Sequence, residues 1–575
     1  MITHYAFKFG CYTNYSFLAR DKVVSLITFK LTVLGLPILH HISTLNGLFM
    51  KTITFVFSLI FLLLPVWSVH AAKKPNILYI MSDDHTAQAF GVYGSRLASL
   101  NPTPTIDRLA HEGMRFDNVF CNNSICTPSR ASIITGQYPL TNGVRDLDGS
   151  ISPEKQYLPL EIKRLGYQTA IIGKWHLKDE PAAFDFYTVL PGQGDYFSPT
   201  FRVRGDQPWP KNTIQHSGHS SDNIGNIGLE WLANGWHREE PFFLMLQFKA
   251  PHDFFEFAPR YSDYLEDAII PEPSSLYYNG NHGSVGTRGY DDVLIHDIGS
   301  SVGHRNRIRN MGMHMGIDPS IPDPAYKHLA YQEYLKRYLR CVKGVDDNVA
   351  RVFSYLEEQG IMDDTIIIYT GDQGFYLGEH DYIDKRWMYE ESMRMPLLIR
   401  YPKIINGGST TNALINNTDF APTLIELAGG KAPKVMQGMS FAETLKTGRE
   451  PSEWRTGTYY RYWMHMAHRH ANPAHFGIRT KDYKLIFFYG RYWKEEGEVA
   501  NIEGWGNRYD FETPPAWEFY DLRNDPHEMD NRYRDERYHD VIHQLKAELL
   551  KLREELGEDD EIPEIQKIID LHWKV

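Results

Sequence analysis

NILYIMSDDH, residues 76–85, is a short apolar run that stops on two carboxylates and an imidazole, Asp83, Asp84 and His85. Three later segments repeat the design. TAIIGKWH (169–176) ends at Lys174 and His176, FFLMLQFKAPH (242–252) at Lys249 and His252, and TIIIYTGDQ (365–373) at Asp372 and Gln373. Each run has the length and the β-branched or aromatic content of a strand buried on both faces. Helical patterns lie between them, around residues 105–112, 158–165 and 222–233 and over 326–359. Strands alternating with helices predict an α/β fold with a large, mostly parallel central sheet flanked by helices. In such sheets the ligand sits beyond the carboxyl ends of the strands. Here every one of those ends carries a charged or metal-ligating side chain.

Outward from this frame the pattern changes twice. Residues 257–325 are rich in Gly, His, Asn and Arg and read as long loops, a feature that often lines a binding cleft. Their basic cluster, His304, Arg305, Arg307 and Arg309, reads first as a solvated loop, with His304 and Arg305 as candidates for gripping an anionic substrate. Beyond residue 440, the segments 459–462, 477–490 and 517–522 look like antiparallel strands. Residues 541–556 space their apolar side chains as an amphipathic helix does. A main domain over 72–440 is therefore expected, followed by a smaller α+β domain over 441–575 with antiparallel strands packed on a helix. The ring- and histidine-rich stretch 461–477 offers either a sugar subsite or core for that sheet.

The composition, 575 residues with 42% hydrophobic and 23% charged, excludes disorder. A net charge of −12 argues against a dedicated nucleic-acid binder, which would show a basic face. Four cysteines cannot make a dense disulfide framework. Met50 and Lys51 open an apolar run that ends in small residues at Val69 and Ala71, the form of a secretory signal over 50–71 with cleavage after Ala71. Residues 1–49 then read as an upstream extension from a misassigned start. The run is short for a membrane span. An exported protein, periplasmic or secreted, with no stable membrane insertion after cleavage, is expected.

The chemistry concentrates in CTPSRASIITG, residues 126–136. Pro128 and Ser129 suit a helix opening, and Arg130 lies one turn after Cys126. A cysteine at a helix N-terminus beside an arginine is expected to sit in a positive field suited to an anionic substrate. Those residues alone leave a reactive thiol or a buried core cysteine open.

Position by position, the stretch resembles the Cys-x-Pro-Ser-Arg signature of the type I sulfatases of the alkaline phosphatase superfamily. The blocks NILYIMSDD, GKWHL, KAPHDFF, GDQGFYLGEHDYIDKRWMYEESMRMPLLIRYP and FYDLRNDPHEMDN are similar to sulfatase blocks and follow in the same order. This resemblance implies an alkaline-phosphatase-like sheet and a Cys126 converted to formylglycine by a formylglycine-generating or anaerobic sulfatase-maturing enzyme. It implies one divalent ion, calcium or else magnesium, held by Asp83, Asp84, Asp372 and Gln373 together with the modified Cys126. Gln373 stands where Asn or His is commoner, and its amide oxygen can still coordinate. The hydrated aldehyde is the implied nucleophile. Arg130 and Lys174 are implied to stabilise it, His176 to act as base for sulfate release, and His252 and Lys385 to contact the sulfate, one of them protonating the leaving oxygen. The resemblance is strongest to bacterial polysaccharide-degrading sulfatases. It implies a sulfated carbohydrate, with an algal polysaccharide such as ulvan or carrageenan favoured. Glycosaminoglycans (heparan, chondroitin, N-acetylglucosamine 6-sulfate) come second. A phosphodiesterase or phosphonate hydrolase of the same superfamily is the rival reading.

Overall fold

β1 (Asn76–Asp83) is buried from end to end. Its side chains alternate between two cores: Ile77, Tyr79 and Met81 enter one, Leu78 and Ile80 the other. That alternation is why the run reads as continuously apolar. A computed structural model describes residues 73–494, 511–558, 560 and 562–573. The upstream extension 1–49 and the expected leader 50–71 lie outside the described residues.

The other strands of the main sheet are β2 (Met114–Phe116), β3 (Gln168–Lys174), β4 (Phe186–Leu190), β5 (Thr200–Val203), β6 (Thr213–Gln215), β7 (Phe242–Pro251), β8 (Thr365–Gly371), β9 (Leu397–Arg400) and β10 (Ser409–Thr411). Their order is β10-β2-β9-β8-β1-β7-β3-β4-β5-β6. The five central strands β8, β1, β7, β3 and β4 run parallel. Antiparallel pairings flank them at β8–β9 and β4–β5. The four strands expected from sequence occupy adjacent central positions, so their carboxyl ends open on one place.

Helices cover both faces. α1 (Cys126–Thr135), α2 (Tyr157–Arg164) and α5 (Phe420–Leu427) contribute Ile133, Leu158, Ile162 and Leu424 to the first core. α3 (Ser220–Glu230) and the 34-residue α4 (Ala325–Glu358) contribute Ile224, Leu335, Val342 and Val349 to the second. The helix expected around 105–112 shrinks to one turn, Arg108–His111. Thr103 Oγ1 donates to Asp107 Oδ1 (2.9 Å), and the Asp346 carboxylate accepts from the amides of Thr105 and Ile106 (3.0 and 2.9 Å). Those side chains satisfy the backbone in a turn, which competes with helix.

Residues 257–325 are irregular, as expected. Their short helical turns include Met311–Met315, where Asn310 accepts from the Met313 amide. The late segment forms a four-stranded antiparallel sheet, β11 (Gly457–Tyr462), β12 (His475–Thr480), β13 (Tyr483–Phe488) and β14 (Ala516–Asp521). Alternate residues Phe476, Ile478, Leu485, Phe487 and Phe519 pack on Ile542, Leu545 and Leu549 of α6 (His539–Glu555) and on Ile565 and Ile569 of α7 (Pro563–Trp573).

Candidate active site at the strand ends

β1 delivers Asp83 and Asp84 to the opening, both fully buried. β8 delivers Asp372 and Gln373 beside them, and the Asp84 amide donates to Asp372 Oδ1 (3.1 Å). Asp83, Asp84 and Asp372 each place a carboxylate oxygen within 4.8 Å of the others, a spacing that can hold one cation. Gln373 Nε2 donates to Asp84 Oδ1 (2.6 Å), which leaves its buried Oε1 without a partner.

α1 starts at Cys126 itself and places the thiol against this group, with Sγ 3.3 Å from Asp83 Oδ1. Lys174 Nζ and Gln373 Nε2 each lie 3.8 Å from the sulfur. The positive field expected for this cysteine is outweighed. Burial pushes the thiol up to about 12, opposed by Lys385 and reinforced by Asp372 and Asp84. An unmodified Cys126 is thus held as a protonated, inert thiol.

Arg130, one turn on, fixes Asp372 with Nε (3.0 Å) and Nη2 (2.9 Å), and turns Nη1 to the Lys174 carbonyl (2.9 Å) and Gln247 Oε1 (2.6 Å). Burial alone would raise Asp372, yet Arg130, Lys174 and Lys385 hold it below the usual carboxylate range. Lys174 Nζ forms an ion pair with Asp83 and donates to Gln193 Oε1 (2.5 Å). Lys385 Nζ straddles Asp84, 2.6 Å from each oxygen. Burial lowers its proton affinity, but Asp84 and its other anionic neighbours raise it further, so Lys385 stays an ammonium.

β7 departs from β1 just before the opening: Ser82 pairs with Phe248 but Asp83 with Pro251. The extra length on β7 swings His252 inward, with Nε2 3.7 Å from Asp84 Oδ2 and Nδ1 2.6 Å from Asp253 Oδ1. Burial, then Lys385 and Lys174 against the pull of Asp253, lower its imidazole to about 3. His176, half-buried at a positive φ of 57°, has a buried Nδ1 without a partner. Burial and the nearby Lys174 and Arg130 keep it neutral.

All ten residues expected to carry catalysis or metal binding therefore converge. His304 and Arg305 do not join them. His304 stacks on Tyr326 (3.8 Å) and meets the Ile321 carbonyl. Arg305 donates to the carbonyls of Ile295, Ile298, Ser300 and Asp381 and lies over Tyr382. Those contacts hold the loop together, in place of the solvated loop expected from sequence. His85 is a packed histidine, stacked on Phe90 (4.1 Å) with Nδ1 on Tyr369 Oη (2.8 Å).

Sequence reasoning missed several residues that position the centre. Gln193, Gln247 and Asp253 orient Lys174, Arg130 and His252. Tyr338 Oη donates to the Asp84 carbonyl (2.7 Å) from the middle of α4. Ser129 Oγ, inside the quoted signature, donates to the Asp372 carbonyl and accepts from Asn417 Nδ2 (2.9 Å). Beside Lys385, Asp384 accepts from Arg386 and from His470 Nδ1 (3.0 Å), bringing part of the 461–477 stretch to the opening.

The sulfatase family model matches residues 75–430, more than half of the chain, and a model of the N-sulphoglucosamine sulphohydrolase C-terminal region matches residues 378–501 and 508–555. An N-acetylglucosamine-6-O-sulfatase from Bacteroides thetaiotaomicron is 37% identical over 517 residues, 84% of this chain and 86% of the relative. An ulvan-active sulfatase from Formosa agariphila is 26% identical, over 84% of this chain and 82% of its own. A solved structure of a protein in complex with its substrate D-glucosamine-2-N,6-O-disulfate superposes with a TM-score of 0.73 at 35% identity, covering 85% of this chain and 100% of the other. The buried acidic and cationic strand ends, the cysteine at the head of α1 and these matches agree: the chain belongs to the sulfatase family and is a sulfuric ester hydrolase.

Proposed function

We propose that this sulfatase removes the 6-O-sulfate of N-acetylglucosamine-type units in a sulfated glycan, using a formylglycine made from Cys126 and a divalent cation. The observation that carries the reaction is the burial of Cys126 Sγ 3.3 Å from Asp83, within a three-carboxylate cluster. The donor set fits a hard cation: carboxylate oxygens from Asp83, Asp84 and Asp372, and the partnerless Oε1 of Gln373. Oxygen donors of this kind suit calcium or magnesium. Bound there, such an ion would offset charge on the sulfate oxygens.

Oxidation of Cys126 by a maturation enzyme supplies an aldehyde. Hydrated, it offers one hydroxyl to attack sulfur, displacing the alcohol, and a second whose deprotonation expels sulfate and restores the aldehyde. Around it Arg130 keeps Asp372 charged and fixed, while the Lys385 ammonium and the Lys174 amine, whose proton affinity burial lowers against the pull of Asp372, face the oxygens that gain charge. His252, fixed through Asp253, delivers a proton to the leaving alcohol. Burial first, and then the field of Lys385 and Lys174, hold its proton affinity down, and the anionic ester entering beside it counters that field. His176, neutral and with Nδ1 open, accepts the proton whose removal releases sulfate.

The 37% relative supports the N-acetylglucosamine 6-sulfate reading. It moves that substrate ahead of the algal polysaccharides favoured from sequence, for which the ulvan-active relative stands at 26%. The signal-like segment over 50–71 supports export to the periplasm or beyond.

Sulfate release from N-acetylglucosamine 6-sulfate, ulvan oligosaccharides and carrageenan oligosaccharides tests the substrate, and matched aryl sulfate and aryl phosphate test the reaction. The amino sugar is expected to be turned over fastest, and the aryl sulfate over the phosphate. Turnover confined to ulvan or carrageenan would overturn the substrate, and preference for the phosphate would overturn the reaction.

A further inference from the structure

The turn that brings His252 to the centre continues into Phe254, whose ring is 43% exposed. Its neighbours both point inward. Asp253 is bound to His252, and Phe255, at φ 59°, is buried against Tyr334, Tyr338 and Phe375. The turn thus holds one apolar ring out into solvent two residues from a catalytic imidazole. The long insertion supplies a companion. His314, exposed on the short helix Met311–Met315, packs its ring on Phe254 with centroids 4.5 Å apart and planes 34° apart.

Arg309, next to the Asn310 cap of that helix, is anchored by Nε to Ser300 Oγ (2.9 Å) and by Nη2 to His470 Nε2 (3.1 Å). Among the described residues Nη1 has no hydrogen-bond partner and Arg309 forms no ion pair, although Asp384 and Asp253 attract the guanidinium from beyond ion-pair distance. His470 in turn bears on Asp384 (3.0 Å), the residue before Lys385. The aromatic pair therefore adjoins the centre through His252, and the guanidinium adjoins it through His470, Asp384 and Lys385.

We propose that Phe254 and His314 form an aromatic platform, with Arg309 beside it, that receives the sugar unit next to the one losing sulfate, and that this neighbouring unit is acidic. The proposal rests on the sulfated amino-sugar reading and extends it from one unit to two. A pyranose ring presents an apolar C–H face that a rigid aromatic side chain can cover at small entropic cost. A guanidinium held in place by neutral partners keeps its charge for an anion. A carboxylate and a sulfate would both satisfy it, so an acidic sugar is the ligand class.

The test compares kcat/KM for four probes. They are N-acetylglucosamine 6-sulfate alone, the same sugar joined through its anomeric carbon to galactose, to glucuronate, and to a sulfated galactose. Wild type is expected to prefer each disaccharide to the monosaccharide, and the acidic disaccharides to the neutral one. The carboxylate and sulfate arms show which anion is taken. Phe254→Ala and His314→Ala should lower all three disaccharides by about threefold to tenfold while the monosaccharide stays within about twofold. Arg309→Gln should erase the preference for an acidic neighbour, and Arg309→Lys should restore part of it, which separates a charge effect from a disturbed loop. Equal losses on monosaccharide and disaccharide, unchanged disaccharide rates, or a wild type indifferent to the second unit would each overturn the platform. A wild type inactive on all four probes but active on an aryl sulfate would instead overturn the amino-sugar reading beneath it.

Discussion

Arg130 reaches three residues with one guanidinium: two of its nitrogens meet Asp372, and the third meets the Lys174 carbonyl and Gln247. Lysine has the same charge without the planar fork. Arg130→Lys is accordingly expected to lower kcat by about 100-fold while the thermal midpoint moves little, as read by sulfate release and calorimetry on the same preparation. A kcat within about threefold of wild type would mean that charge alone suffices there. Cys126, Asp83, Asp372 and their partners were legible in sequence because each belongs to a motif at a strand or helix end. The field around the cysteine was not. The helix start and Arg130 suggested a positive field suited to an anionic substrate and left the state of the thiol open, whereas burial and the Asp372 and Asp84 carboxylates, contributed by other strands, push the thiol up. Gln193, Gln247 and Asp253 were missed for the same reason: their roles depend on which strands lie side by side.

Each central strand ends in a device that aims side chains. Gly173, the penultimate residue of β3, has φ 102°, and a Cβ there would lie 1.8 Å from the Gln247 carbonyl oxygen on β7. No other residue fits between the two strand ends that carry Lys174 and His252. Gly173→Ala should cost about 3 kcal/mol or more of stability and remove activity with it, measured by urea unfolding and turnover. A variant as stable as wild type would show that β7 can yield at its irregular end. These strands were readable because burial on both faces made continuous apolar runs. The helix expected around 105–112 was not, because Asp107 and Asp346 capture the turn. Residues 257–325 have no period at all, so neither the cap at Asn310 nor the separation of Arg309 from Arg305 could be foreseen.

Across the whole molecule, burial is the largest influence on His85, His380, His465, His470 and His475, and lowers them to between about 3 and about 4. Above the ordinary histidine range these imidazoles are neutral folded or unfolded and add no pH dependence. Below about 6.5 the unfolded chain binds protons that the folded chain refuses, so stability falls with pH until about 4. Each contributes roughly 1 kcal/mol per pH unit. Glu528 works the other way: burial, against Lys484, raises it to about 7, so its contribution is lost as pH rises from about 4.5. Asp84, Asp107, Asp346, Asp381, Glu391 and Glu518 are raised by burial as Glu528 is. The lowered imidazoles outnumber these carboxyls, His176, His219, His252, His282, His314 and His468 joining the five above, which leaves a net loss on the acid side. Urea midpoints at stepped pH values should fall between about 6.5 and 4, and His475→Gln should flatten the slope; a midpoint constant or rising toward acid would contradict this. The most direct test of the chemistry is the mass of the tryptic peptide spanning residues 116–130, taken from a preparation whose sulfate release is measured alongside. This fragment holds both Cys121 and Cys126, so Cys121 serves as an internal thiol. In active enzyme position 126 is predicted to be lighter by the difference between SH2 and O, in proportion to turnover, with position 121 unchanged. Full turnover from a preparation in which both cysteines remain thiols would contradict the account.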